Sequence, residues 1–181
     1  MKPEGKIVEG ERLYLQYLKP DMVTDKYVDW MNDKEINQYL EARFGCPYTL
    51  ESVKGFVKEQ YENPNCHFFA MMLKDGDVHI GNIKAGPINT KHNFAEVGIV
   101  IGDKSQWGKG FASEAISLIT DFAFSKLGLH RLDAGCYSQN KGSEKAFLKA
   151  GYKHEGVYRK KFLSDGEYVD DILLGKLRDE Q

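Results

Sequence analysis

Hydrophobic and polar positions change period several times along this chain, and each change marks an element. Residues 12–18 alternate, with Leu13, Leu15 and Tyr17 set against Tyr14, Gln16 and Leu18, which is the period of a strand. From Asp21 the period lengthens to that of a helix through Val23, Tyr27, Trp30 and Met31. A short turn follows through Ile36 and Leu40, and residues 51–61 predict a further helix with Val53, Phe56 and Val57 inward. Residues 68–73 and 78–85 are β-like runs about the turn signal Asp75-Gly76, and residues 95–101 add a third, so three antiparallel strands are expected in a row. Between Gly110 and Leu127 the stripe Ala112, Ile116, Ile119, Ala123 and Leu127 predicts a helix lying on a sheet. Residues 131–137 read as a strand, and residues 140–150 as a helix with an Asn cap in front and Gly151 behind. Residues 152–163 and 167–177 form a hairpin about Asp165-Gly166. The order predicts an α+β layered fold. No repeat, linker or shift of composition interrupts it, so residues 1–181 read as one domain.

Composition narrows the classes. A chain of 181 residues with 41% hydrophobic and 29% charged positions can bury a core without staples, and its net charge of −2 offers no attraction for nucleic acid or an anionic membrane. Cys46, Cys66 and Cys136 are odd in number, far apart and never in a C-x-x-C pair, which argues against a disulfide framework or zinc knuckle and suits a reducing cytoplasm. The first residues lack the apolar stretch of a secretory signal, and runs such as residues 68–73 are too short to span a bilayer, so a cytoplasmic protein is expected. His67, His79, His92, His130 and His154 share no ligand spacing, and no metal is expected.

Candidate chemistry concentrates in Ser105-Gln-Trp-Gly-Lys-Gly-Phe-Ala-Ser113, which joins an apolar strand to a helix N-terminus. Gly108 and Gly110 can let a ligand approach the main chain, and successive N–H groups with the helix dipole suit a pyrophosphate; the same glycines also suit a plain turn. A Walker loop is absent. A dinucleotide fingerprint fails because Ser113 stands where its third glycine belongs, and no acidic residue ends the next strand at Cys136-Tyr137-Ser138. The spacing of Asp103, Ser105, Gly108 and Glu114 imitates a calcium loop, but Trp107 occupies a ligand position.

Trp30-Met-Asn-Asp33, Ala95-Glu-Val-Gly-Ile-Val-Ile101, Trp107-Gly-Lys-Gly-Phe-Ala-Ser-Glu-Ala115, Phe122-Ala-Phe124, Asn140-Lys-Gly-Ser143, Lys149-Ala-Gly-Tyr152 and Glu155-Gly156 occur in this order. With these motifs the chain, from Arg12 to Lys176, resembles the GCN5-related N-acetyltransferases, in particular the RimJ/RimL type. The resemblance implies a mixed, mostly antiparallel sheet of about seven strands flanked by helices, with a splayed strand pair that admits the pantetheine arm of acetyl-CoA. Val100 and Ile101 would then pair with that arm through their backbone, and Trp107, Gly108, Lys109, Gly110, Phe111 and Ala112 would form the pyrophosphate loop. Asn140 would bond the arm, a role compatible with capping the helix. Arg43, Phe44 and Tyr48 fall where such proteins usually build the acceptor pocket.

The chain departs from the general pattern at Phe147, on the cofactor side, where many members place a Tyr that protonates the leaving thiolate. Ser143 is the nearest hydroxyl that could replace it, directly or through a water, or it simply helps to cap the helix. Glu96, on the strand beside the acetyl group, is the candidate base for an amine with a pKa near ~10.4, or an outward charge with no part in the reaction. The expected activity is acetyl transfer from acetyl-CoA to a primary amine. The acceptor would be a small amine, a nucleotide-linked amino sugar that Arg159-Lys-Lys161 could grip, or a protein N-terminus. The resemblance leaves room for a homodimer. A non-catalytic acetyl-CoA-binding module is the alternative that Phe147 suggests, and a nucleotide-dependent oxidoreductase rests only on Gly108-x-Gly110.

Overall fold

The computed structural model describes residues 2–45 and 47–180; Cys46 lies outside them. Its frame is one mixed sheet in the order β1-β2-β3-β4-β5-β6-β8-β7. The strands are β1 (Val8–Glu9), β2 (Leu13–Tyr17), β3 (His67–Leu73), β4 (His79–Asn89), β5 (Phe94–Ile101), β6 (Arg131–Tyr137), β7 (Lys153–Ser164) and β8 (Glu167–Leu177). The described residues form eight strands, in line with the expected sheet of about seven; the addition is β1, whose two residues are too few to show a period. Every neighbouring pair is antiparallel except β5 and β6, which run parallel.

Helices α1 (Asp25–Asn32), α2 (Lys34–Asn37) and α3 (Leu50–Glu62) cover one face, and α4 (Phe111–Ser125) and α5 (Lys141–Lys149) cover the other. The central strands are therefore buried on both sides. Leu13, Leu15, Phe69 and Met71 pack with Ile116, Ile119 and Ala123 of α4, while Tyr14, Phe68 and Met72 pack with Tyr27, Trp30, Val53 and Val57. The α4 stripe lies on the sheet as expected, and α5 has Asn140 at its cap and Gly151, at φ +87°, behind it. One inward assignment fails: Phe56 is 48% exposed and meets Phe68 only edge-on. On a helix Phe56 stands about 100° from Val57, so a stripe centred on Val53 and Val57 leaves it at the margin.

The parallel pair fixes the shape of the middle of the sheet. β5 and β6 are in register only at Phe94↔Arg131, Ala95↔Leu132 and Glu96↔Asp133. Beyond Glu96, β5 stays with β4 as far as Gly81↔Ile101, while β6 follows β8. Two glycines allow the close packing at the free end of β5. A Cβ on Gly81 would be driven into the Val100 carbonyl, and one on Gly102 into the Trp30 indole.

Cys66 and Cys136 are buried free thiols, and burial pushes both pKa values up, that of Cys136 to about 11. Among the described residues no helix is long and apolar enough to cross a membrane.

Two predictions follow from this packing. Gly81→Ala forces backbone against backbone and is expected to destabilise the fold by about 1–3 kcal/mol, read as a lower melting temperature; an unchanged melt would contradict the contact. His67 has its Nδ1 2.6 Å from the Tyr17 hydroxyl, and burial, reinforced by the Lys2 ammonium, lowers its pKa from 6.5 to about 4. Between these values the unfolded chain binds a proton that the folded one refuses. This share of stability is present above pH 6.5 and is lost as the pH falls toward 4. Urea midpoints across that window should fall less steeply in His67→Gln than in the parent; parallel slopes would rule out His67 as the source.

Candidate active site

Where β5 and β6 part, a cleft of about 510 Å³ opens, within the range of small-molecule sites. Nine residues singled out in the sequence line it: Val100, Ile101, Trp107, Gly108, Gly110, Phe111, Ala112, Asn140 and Ser143. Beyond Glu96 the β6-side backbone edge of β5 has no strand partner, so its amides are available to an extended ligand.

The loop that closes one end is built from short-range bonds. Asp103 Oδ1 accepts from the Ser105 amide at 3.0 Å and the Ser105 hydroxyl at 2.7 Å, starting a 3-10 turn over Lys104–Gln106. The Trp107 indole N–H donates to the Ile101 carbonyl at 2.9 Å and ties the loop to the end of β5. Gly108 and Gly110 follow at φ +73° and +84°, a region closed to most side chains, and a Cβ on Gly108 would meet nothing within 4 Å. Gly110 starts α4 without a side-chain cap, which leaves the first-turn N–H groups to an anion. This cradle of backbone beside a helix N-terminus, open where a Cβ would stand, fits a pyrophosphate.

Lys109 is the loop residue outside the cleft lining. Its carbonyl accepts from Arg12 Nη1 at 2.8 Å, and its ammonium donates to Gln106 Oε1 at 3.2 Å. Arg12 also lies over the Phe111 ring and pairs with Glu114 at 2.9 Å, while Glu114 Oε1 accepts from the Arg12 and Leu13 amides. The loop is thus braced from beneath by the start of β2. Sequence reasoning missed Arg12, since no local spacing links it to a carboxylate 102 positions away.

At the other wall Asn140 Oδ1 accepts from the Ser143 amide at 3.1 Å, and Ser143 faces the cleft half-buried. Phe147 lies outside the lining, 1% exposed, with its ring against Tyr152. The position that carries a Tyr in the general pattern is a core position here.

Glu96 sits exposed at the last paired rung, on the face of β5 that also carries Gly98 and Val100, and outside the cleft lining. A Cβ on Gly98 would meet nothing within 4 Å, so the sheet beside Glu96 is open. Other acidic groups of this region are engaged: Asp133 and Glu155 with Arg131, Asp171 with Lys161, and Glu41 with the Tyr137 hydroxyl. Glu96 has no such partner among the described residues.

Arg43, Phe44 and Tyr48 do not line the cleft. Arg43 donates to the Gln38 carbonyl at 2.6 Å and the Leu163 carbonyl at 2.5 Å and lies over Tyr137; Tyr48 donates to the Ala42 carbonyl; Phe44 is 64% exposed. Arg43 and Tyr48 hold the segment, and the segment brings Gln38, Tyr39 and Leu40 to the cleft. Those three were missed because they precede the loop that the pattern marked. Among the described residues no group of His, Cys, Asp or Glu could hold a metal.

Comparison with known proteins agrees with this geometry. The family profile described as an acetyltransferase (GNAT) domain matches residues 12–153. The chain is 32% identical over 179 residues to a protein named probable N-acetyltransferase YjcK of Bacillus subtilis, covering 91% of this chain and 96% of that one. Its fold matches the crystal structure of spermidine N-acetyltransferase from Vibrio cholerae in complex with CoA and spermine, with a TM-score of 0.83 at 23% identity over 93% of this chain and 97% of that one. A GNAT-family acetyltransferase from Bacillus anthracis matches with a TM-score of 0.81 at 23% identity, over 95% and 98% of the two chains. The splayed pair, the glycine loop and the full-length relatives converge, and the chain belongs to the GNAT acetyltransferases, enzymes that draw their acetyl group from acetyl-CoA.

Proposed function

We propose that this enzyme acetylates a primary amine that enters from the face of the sheet opposite α4 and α5, with Glu96 as the base. The observation that carries this reading is the place of Glu96: an unpaired carboxylate at the rung where β5 and β6 separate, beside the open surface of Gly98. Acetyl-CoA supplies the acetyl group as a thioester. Glu96 takes a proton from the ammonium, directly or through a water, so that the neutral nitrogen can form the C–N bond as the C–S bond breaks. The second proton, which the nitrogen sheds as it becomes an amide, passes to the departing thiolate through Ser143 or a water, so that the Ser143 hydroxyl is regenerated. The free backbone edge of β5 offers the N–H that meets the developing oxyanion. Trp107 and the Asn140-x-x-Ser143 spacing support the RimJ/RimL type.

For the acceptor, the reading ranks a small amine or amino sugar ahead of a protein N-terminus. The strap from Gln38 to Arg43, tied to Tyr137 and Leu163, narrows the approach. Relatives named spermidine N(1)-acetyltransferase, such as that of Escherichia coli at 32% identity over 94 residues, 52% of this chain and 50% of that one, place polyamines in the panel worth testing.

The first test is thermal unfolding with acetyl-CoA, with NAD and ATP as controls, followed by thiol release with spermidine, a nucleotide-linked amino sugar and a short peptide. A rise in melting temperature with acetyl-CoA alone and turnover of one of the two small acceptors are expected. Turnover of the peptide alone would transfer the assignment to protein N-termini, and binding without turnover of any amine would favour a non-catalytic module. In Glu96→Gln, kcat should fall by about 10²–10⁴-fold and the acid limb of the pH–rate profile should disappear. An unchanged profile would remove Glu96 as the base.

A further inference from the structure

Past the last paired rung of β5 and β6, the face of the sheet opposite α4 and α5 carries a glycine on each side of the opening. Glu96 pairs with Asp133, so the next residues on that face are Gly98 on β5 and Gly135 on β6. Gly135 is exposed, and the position a Cβ would take there lies 3.0 Å from Asp171 Oδ1, which reaches over from β8 at the Tyr137↔Asp171 rung. Side chains close this face before and after the gap. Arg131 gathers Asp133 and Glu155 on one side, and Tyr137, stacked on Phe162, stands on the other.

Asp171 is 2% exposed, and its two oxygens are treated unequally. Oδ2 accepts from the Lys161 ammonium at 2.7 Å, whereas Oδ1 has no hydrogen-bond partner among the described residues. A buried carboxylate oxygen left without a donor costs free energy, and here the missing donor has a place to stand, over Gly135. The torsion that carries a carboxyl group is broad, so Oδ1 can turn toward the opening while Oδ2 keeps Lys161. Lys161 already balances the charge. What Oδ1 lacks is a hydrogen rather than a second cation, and a neutral hydroxyl supplies it without a surplus positive charge. At the rung where the pairing ends, the backbones at Glu96 and Gly135 are about 8 Å apart, one strand spacing across and two residues along. Adjacent carbons bearing an amine and a hydroxyl, with a hydrogen bond at each end, bridge a gap of that order.

Resting on the reading in which the amine enters this face with Glu96 as its base, we propose that Asp171 is a specificity-determining residue whose Oδ1, over Gly135, accepts a hydrogen bond from a hydroxyl of the acceptor. The acceptors are then vicinal amino alcohols, amino sugars among them, in preference to simple amines and polyamines.

The test compares trans-2-aminocyclohexanol with cyclohexylamine, which differ by that hydroxyl, as kcat/KM for thiol release by the full chain at saturating acetyl-CoA. Each amine's own basicity cancels when the ratio of the two is compared between variants. Gly135→Ala sets a methyl group against Oδ1 without removing an ion pair, and the ratio in favour of the amino alcohol should fall at least about tenfold. Asp171→Leu/Lys161→Met, which replaces the pair by apolar groups, should lower it likewise. An unchanged ratio in Gly135→Ala would overturn the hydroxyl subsite, as would an equal loss for both amines or turnover of spermidine alone by the wild type. Full turnover by Glu96→Gln with an unchanged pH profile would instead overturn the base reading, whatever the ratio does, so the two failures are told apart.

Discussion

The structure turns on the brevity of one strand pairing. β5 and β6 hold three rungs and then separate, because each has a stronger commitment elsewhere: β5 to β4 over its whole length, and β6 to β8 over seven consecutive pairs. Parallel pairing is slightly the weaker kind per residue, which makes this the natural place for the sheet to open. Once open, the edge of β5 beyond Glu96 carries backbone groups without a strand partner, which an extended amide-bearing ligand can meet. The close packing of Gly81 on the Val100 carbonyl and of Gly102 on Trp30 keeps that edge from drifting back toward β6.

Because successive side chains on a strand face opposite ways, β5 serves two chemistries. Val97, Ile99 and Ile101 join the core with α4, beneath the donor side of the cleft. Glu96, Gly98 and Val100 face the other layer, where the acceptor is proposed to enter. The two sides also handle charge differently. On the donor side the start of α4 leaves backbone amides open to an anion, whereas on the proposed acceptor side the cations and carboxylates largely neutralise one another, with Glu96 left over.

Much of this was legible in local patterns. The α4 stripe, the strand over Arg131–Tyr137 and the glycine loop each announce themselves within about twenty residues, and the structure places them accordingly. What escaped depends on partners distant in the chain. Arg12 acquires meaning only beside Glu114 and the Lys109 carbonyl, and Tyr39 only when the strap from Gln38 to Arg43 is tied to Leu163. Phe56 has the right period but stands at the margin of a face too narrow to include it. Glu96 and Ser143 could be picked out by residue type and position, but the roles proposed for them need a substrate in place.

The closing hairpin shows how tertiary demands override strand regularity. Between Tyr158↔Asp171 and Phe162↔Val169, β7 spends three residues where β8 spends one, and Lys160 adopts φ +52°. A lysine in that conformation is strained, and the bulge persists because its surroundings hold it: the Lys160 amide donates to Asp170 Oδ1 at 2.8 Å. The extra residues let Lys161, which begins from an exposed edge strand, reach Asp171, a carboxylate only 2% exposed, at 2.7 Å. They also set Phe162 flat on Tyr137 at 4.1 Å, and Tyr137 in turn receives Arg43 and Glu41 of the strap. Without the bulge the strand's period would carry Lys161 and Phe162 out of these contacts, and the strap would lose the aromatic surface on which it rests. The strain at Lys160 is therefore a cost of setting Lys161 on Asp171 and Phe162 on Tyr137, and its position on this edge strand, three residues against one of β8, follows from that.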